Sequence, residues 1–153
     1  MKKLLGIYTA PLDCRHHPEA DQWEVLKPFS FVRADATIIR VPAGIITDFA
    51  STGNVPGFPQ DCTYDQAAVV HDFLYQGEFL PRWKADMIFR EALEAIPEVP
   101  RWKIPIMWAA VRMFGGFTYK KHSYESVRGA RTLAAIPNNG NRPLWKDGKL
   151  RFV

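Results

Sequence analysis

Tyr64-Asp65-Gln66-Ala67-Ala68-Val69-Val70-His71-Asp72-Phe73-Leu74-Tyr75 is the stretch at which the hydrophobic period changes from that of a strand to that of a helix. Ala67, Ala68, Val70, His71, Leu74 and Tyr75 recur at helical spacing, which sets them along one side of a helix. Thr63 or Asp65 is suited to cap its start, and Gly77 to end it. A second helix is expected from Arg82 to Ile96, with Ala85, Ile88, Phe89, Ala92 and Leu93 on its apolar face and Pro97 and Pro100 as stops. A third runs from Trp102 to Phe114 through Met107, Trp108 and Val111, with Pro105 in its first turn and Gly115-Gly116 closing it. Trp83, Trp102 and Trp108 have the helical spacing expected of core residues.

Upstream the period is nearer two. Trp23-Glu24-Val25-Leu26 and Phe29-Ser30-Phe31-Val32 alternate as two short strands broken at Pro28. Ala36 to Val41 is apolar and β-branched, and Pro42-Ala43-Gly44 turns the chain into a further strand, Ile45-Ile46-Thr47. Gly53, Asn54, Pro56, Gly57 and Pro59 make residues 51–63 an irregular loop. Downstream of Phe117 basic and aromatic residues interleave, residues 137–143 read as a loop, and Asp147-Gly148 between Leu144-Trp145 and Leu150-Arg151-Phe152 predicts a terminal hairpin. The expected fold is α+β: residues 1–118 form one domain with a small N-terminal antiparallel sheet and a central bundle of three helices, and residues 119–153 form a basic, loop-rich C-terminal extension.

A length of 153 residues suits one such domain. With 47% hydrophobic and 24% charged residues, the composition excludes wholesale disorder and a coiled-coil rod. No apolar run approaches the roughly 18 residues of a membrane span. Lys2-Lys3 and Leu4 to Ile7 begin like a signal peptide, but the apolar stretch stops at Tyr8-Thr9-Ala10-Pro11, so the N-terminus reads as mature and cytoplasmic. Cys14 and Cys62 form no disulfide framework, which points to a reducing compartment. The net charge of +4 hides a division: residues 1–100 carry 9 Lys/Arg against 14 Asp/Glu, a balance of −5, and residues 101–153 carry 11 against 2, a balance of +9. A block this basic suits nucleic acid, anionic lipid or an acidic protein, or is simply a solvated surface.

The residues most suggestive of chemistry lie on the first two helices. His71 and Tyr75 are four apart and share a face, whereas Asp72 points about 100° away. The short connection makes the helices antiparallel neighbours, which lets Asp86 approach His71. A buried carboxylate on one imidazole nitrogen fixes the tautomer and leaves the other as a general base. Asp72 would then be left for a hard cation such as calcium. The structural alternative is a helix histidine satisfied by Asp86, with Asp72 exposed. Weaker patterns compete. A phosphohydrolase of the His-Asp type needs a preceding helical His and a later Asp, and His16-His17 lies beside Pro18 in a region without helical period. Cys14, His16 and His17 lack a fourth zinc ligand at suitable spacing. Asp48 with Ser51 reads as a local turn arrangement, and there is no P-loop, GxGxxG or GxSxG.

Ala67 to Tyr75 followed by Ala85-Asp86-Met87-Ile88-Phe89 resembles the active-site helices of calcium-dependent phospholipases A2, whose motif is His-Asp-x-x-Tyr and then Asp-x-x-Phe. The resemblance covers about 25 residues and implies a calcium-dependent esterase, or a vestige of one. It implies His71 as the base that activates water, Asp86 as the partner of the imidazole, Tyr75 as its hydrogen-bonding support and Asp72 as a calcium ligand. That family's glycine-rich calcium loop does not precede His71; the segment from Asp48 to Gly57 stands in its place, with Asp48 as a further ligand. A broader resemblance covers roughly residues 20–120. Val41-Pro42-Ala43-Gly44-Ile45-Ile46-Thr47-Asp48-Phe49-Ala50-Ser51, His71 to Tyr75, Lys84-Ala85-Asp86 and Ala110 to Gly116, in that order, resemble a phage and prophage family, domain of unknown function thirteen fifty-three. It implies a virion- or tail-associated assembly protein in the host cytoplasm and then the virion, with other phage structural proteins as partners in an oligomer or assembly. Lys120, Lys121, Arg128 and Arg131 are the candidate contacts to such partners, and the envelope-acting hydrolase is the alternative function.

Overall fold

The computed structural model of the chain describes residues 5–20, 22–47, 64–120, 128–131, 143–146 and 149–152. Among the described residues, eight strands and three long helices follow in the order β1 (Ile7–Tyr8), β2 (Cys14–His17), β3 (Gln22–Val25), β4 (Phe29–Val32), β5 (Ile38–Val41), β6 (Ile46–Thr47), α1 (Asp65–Gln76), α2 (Arg82–Glu94), α3 (Lys103–Lys120), β7 (Pro143–Lys146) and β8 (Lys149–Phe152). The class is α+β, as the hydrophobic periods indicate.

The N-terminal strands form two antiparallel sheets of three, ordered β1-β4-β5 and β2-β3-β6, where the alternation alone suggests one. The break at Pro28 explains the division. β3 and β4 flank it and join different sheets instead of pairing with each other. The seam is closed at Val25, whose N–H donates to Ile45 O at 2.9 Å and whose carbonyl accepts from Gly44 N at 2.7 Å. In the first sheet Phe29 lies opposite Val41 and Phe31 opposite Ile39, and all four are buried. This is the inward half of a period-two pattern. β1 and β2 escape a hydrophobic reading because one has two residues and the other is Cys-Arg-His-His, a polar edge strand. The expected strand start at Ala36 is instead part of the β4–β5 turn. Arg33 N donates to Thr37 O at 2.8 Å, and Ala36 takes a left-handed φ of 65°.

α1 is the central element. Every residue from Ala67 to Tyr75 is buried, so the helix is covered all round and not along one stripe. It packs on β5, β6 and α2, and α2 packs on α3. Tyr8 fastens the first sheet to α2, its ring 5.0 Å from that of Phe31 and its hydroxyl donating to Ala92 O at 3.0 Å. Arg33 makes the second tie with two 2.8 Å hydrogen bonds to Glu91. Tyr64 occupies the N-cap of α1 with no side-chain cap bond, so Asp65 falls in the first turn, and Thr63 lies outside the described residues. Gly77 does follow α1, at an ordinary φ of −80°. What requires glycine there is space, because a Cβ would fall 2.2 Å from the Phe79 ring.

Two expectations about the helices need correction. α3 does not stop at Gly115-Gly116 but continues to Lys120. Tertiary packing outweighs the helix cost of glycine: a Cβ on Gly115 would lie 2.9 Å from the Tyr75 hydroxyl, so the residue marks a close approach of α3 to α1. Of the tryptophans, Trp83 is 56% and Trp102 65% exposed, and Trp108 is half-buried under the Arg90 guanidinium. Trp83 falls on the outer face of α2 and Trp102 in the turn before α3, while Ala85, Phe89, Leu93, Ile104 and Met107 take the inner faces of the two helices.

The C-terminal hairpin forms as the Asp-Gly signal indicates. β7 pairs with β8 with Lys146 opposite Lys149, and β8 runs beside β5. Residues 128–131 make one helical turn, held by Arg131 donating to Gly77 O at 2.8 Å. Gly115→Ala should lower stability despite alanine's helix advantage of about 1 kcal/mol. In a Tyr75→Phe background the same substitution should cost less or become favourable, as thermal unfolding of the four proteins would show. Equal effects in both backgrounds would mean that the hydroxyl does not dictate the glycine.

Candidate functional site: a buried carboxylate cluster

Helical spacing puts His71 and Tyr75 on the side of α1 that faces α2, and Asp86 lies on the matching side of α2. His71 Nε2 is 2.8 Å from Asp86 Oδ1, and the Tyr75 hydroxyl donates to the same oxygen. The other oxygen, Oδ2, accepts from Arg112 Nη1 of α3 at 2.8 Å, with Arg82 Nε 3.7 Å away, one turn before Asp86 on α2. Arg82 also donates to the Tyr75 hydroxyl at 3.4 Å, to Val111 O at 3.1 Å and to Arg112 O. One carboxylate therefore collects groups from all three long helices. Asp86 is fully buried and His71 is 1% exposed, its ring 4.0 Å from that of Tyr75 and 4.9 Å from that of Phe89.

The electrostatics follow from these contacts. Burial pushes the Asp86 carboxyl up, but hydrogen bonds from His71, Tyr75 and Arg112 together outweigh it and hold the group below its ordinary range. An ionised carboxylate only accepts, so Nε2 of His71 carries the proton of that hydrogen bond. Any base chemistry of His71 would therefore run through Nδ1. Burial and the bond to Asp86 raise the Tyr75 hydroxyl well above its ordinary value, which keeps it a donor at physiological pH.

The remaining expected ligands lie apart from this cluster. Asp72 points to the sheets, is buried, and accepts the hydroxyl of Thr47 from β6. Asp48 lies outside the described residues. Among the described residues no group of three or more His, Cys, Asp or Glu converges as a metal site. Calcium takes six to eight oxygens, and the second expected ligand, Asp48, lies outside the described residues. On β2, His16 stacks on Trp23 at 4.5 Å and His17 Nε2 lies 2.9 Å from Glu24 Oε2. Successive strand residues face opposite ways, which separates the two imidazoles. Arg128 and Arg131 lie in the turn near the end of α1, Lys121 lies outside the described residues, and Lys120 ends α3.

A family model described as protein of unknown function (DUF1353) matches residues 23–111, more than half of the chain. The chain belongs to that family. No curated protein and no solved structure matches it. The DUF1353 match spans β3 to α3, includes His71, Asp72, Tyr75, Arg82 and Asp86, and ends one residue before Arg112.

Hydrophobic patterning misses Arg82, Arg112, Thr47 and Gly115. Arg112 leaves a trace in the sequence as the one charged residue between Lys103 and Lys120, within an otherwise apolar or neutral stretch. Arg82 leaves another, four residues before Asp86 and so on the same face of α2. For Thr47 and Gly115 the signal is in the tertiary contact alone.

Because the folded pKa of Asp86 is depressed, the ionised carboxylate contributes stability that is fully present above the unfolded-state carboxylate pKa. That contribution is lost as pH falls through the lower folded value. Asp86→Asn should thus cost about 2–4 kcal/mol at neutral pH, somewhat under the full penalty of a broken buried pair because Arg82 and Arg112 reach solvent. It should also flatten the fall in stability below about pH 4. Denaturant titrations across pH would test both. An unchanged acid limb in the variant would mean that Asp86 does not carry it.

Proposed function

We propose that the chain is a phage-encoded, virion- or tail-associated assembly protein in which the His71-Asp86 pair serves as part of a structural clasp. The observation that carries this reading is the set of donors on Asp86: His71, Tyr75 and Arg112 bond to it and Arg82 lies beside it. In a catalytic dyad the carboxylate's charge is kept for the imidazolium that forms when the base takes a proton. Here two guanidiniums already balance that charge. The clasp holds α1, α2 and α3 together in a chain whose C-terminal third is strongly basic, +9 over residues 101–153. The resemblance to phage and prophage proteins supplies the setting: host cytoplasm during assembly, then the particle, among other phage structural proteins. Lys120, Lys121, Arg128 and Arg131 are the proposed contact residues, and the basic surface also suits nucleic acid or anionic lipid.

A second reading is favoured by one specific observation, the 2.8 Å contact between His71 and Asp86. On that reading the protein is a phospholipase A2-like hydrolase acting on the host envelope, with Tyr75 supporting the pair and calcium held at Asp72 and Asp48.

Two variants separate the readings. Replacing Lys120, Lys121, Arg128 and Arg131 with Gln should reduce particle yield in a complemented lysogen and weaken a salt-sensitive contact. The loss of Arg128 and Arg131, which are exposed, should change stability little beyond the loss of the Arg131 tie, because exposed charges contribute roughly 0–1 kcal/mol each. His71→Gln retains an amide donor for Asp86 but is no base. Under the assembly reading it should leave particle yield intact. Under the hydrolase reading it should lower phospholipid turnover by ~10²–10⁴. Wild-type cleavage of vesicles that His71→Gln abolishes, with normal assembly by the fourfold variant, would replace the first reading with the second.

A further inference from the structure

A different face of α2 borders a cavity of about 290 Å³ between that helix and β5, away from the Asp86 clasp. Its floor is apolar and buried, formed by Ile39, Leu74, Phe79 and Ile88. Its walls are Ile38, Trp83 and Met87, which stay 37%, 56% and 40% exposed. Leu80, Lys84, Met87 and Glu91 follow one another at three- and four-residue intervals along this side, with Ile88 four residues after Lys84, so the stripe is a face of α2 and its preceding turn. Side chains this large and apolar around a concavity commonly mark a binding site.

Charge at the mouth limits what could enter. Arg33 at one end is held by Glu91 through two 2.8 Å bonds and lies 3.2 Å from Asp35, so its guanidinium is already engaged by two carboxylates within the protein. Lys84 lines the same cavity with its ammonium 5.5 Å from the centre of the Trp83 ring. Among the described residues no carboxylate pairs with it. An apolar interior beside an exposed ammonium that no described carboxylate contacts complements an apolar chain that ends in an anion. The volume lies at the lower limit of small-molecule sites, roughly 300–1,000 Å³, and suits one short chain in preference to a two-chain lipid.

We propose that the cavity between β5 and α2 binds a single medium-chain carboxylate anion, its chain over Ile39, Leu74 and Ile88 and its head group on Lys84. The chain supplies affinity without direction, and the ammonium orients the molecule head outward. This binding is independent of whether the domain assembles particles or hydrolyses lipid.

Calorimetry of the full chain with octanoate, octanol and octyltrimethylammonium, each below its micellar range, tests the proposal. Octanoate should bind at one site, roughly tenfold more tightly than octanol, and the cationic amphiphile should bind least. Affinity should rise about fourfold per methylene from hexanoate to octanoate, the value expected for chain burial. Lys84→Gln should bring octanoate down to the level of octanol and leave octanol unchanged. Met87→Glu, at an exposed wall position, should abolish octanoate binding. Ile106→Glu on the exposed face of α3 should not change it. Absence of saturable binding, equal affinity for the two charged amphiphiles, or indifference to both Lys84→Gln and Met87→Glu would overturn the proposal. So would binding only to phosphatidylglycerol-containing vesicles and not to free octanoate, because the groove would then be a contact with a lipid surface.

Discussion

One buried carboxylate sets the relation of the three long helices. Asp86 cannot be taken from water without compensation, and its two oxygens draw on an imidazole and a phenol from α1 and a guanidinium from α3, with a second guanidinium from its own helix alongside. Each partner fixes a neighbour in turn. His71 is wedged between Tyr75 and Phe89, Arg82 reaches from Tyr75 to the carbonyls of Val111 and Arg112, and Gly115 lets α3 come close enough for these bonds to form. Hydrophobic burial supplies most of the drive to fold, but it is indifferent to rotation and sliding of apolar helices. A directional cluster that is satisfied in one arrangement selects among those packings.

The outer tier of the fold is tied to this bundle by separate contacts. Tyr8 and Arg33 join the first sheet to α2, Thr47 meets Asp72, Gln76 donates to Ile46 O, and Arg131 reaches the carbonyls after α1. α1 lies between β5, β6 and α2, which accounts for its burial. The attachments leave the stripe of α2 around Lys84 and Met87 exposed, beside a cavity, where packing places no demand on the residues.

Much of this organisation is legible in the sequence, for identifiable reasons. Period 3.6 in Ala67 to Tyr75 and Ala85 to Leu93 locates α1 and α2, and a short connection makes them neighbours, so residue spacing alone is enough to pair His71 with Asp86. The Asp-Gly turn locates the terminal hairpin because it depends on local backbone preference. Features decided by distant contacts are not legible. Gly115-Gly116 has the form of a helix stop, yet the helix continues because Tyr75 occupies the space a side chain would need. The strands on either side of Pro28 alternate alike but belong to different sheets, since the polar edge strand β2 offers a partner that hydrophobic patterning does not register. The cluster's cations escape hydrophobic patterning because a surface-facing arginine and one that turns inward are written the same way.

The central claim is that Asp86 and the cations around it act as one unit. A double-mutant cycle of Asp86→Asn and Arg112→Met, followed by chemical denaturation at neutral pH, measures that coupling most directly. The account predicts a coupling of order 1–3 kcal/mol, with the double variant losing less than the sum of the single ones, because each single change leaves a partner unsatisfied. Additive losses would contradict it, and would mean that the three helices hold their arrangement without the carboxylate at their centre.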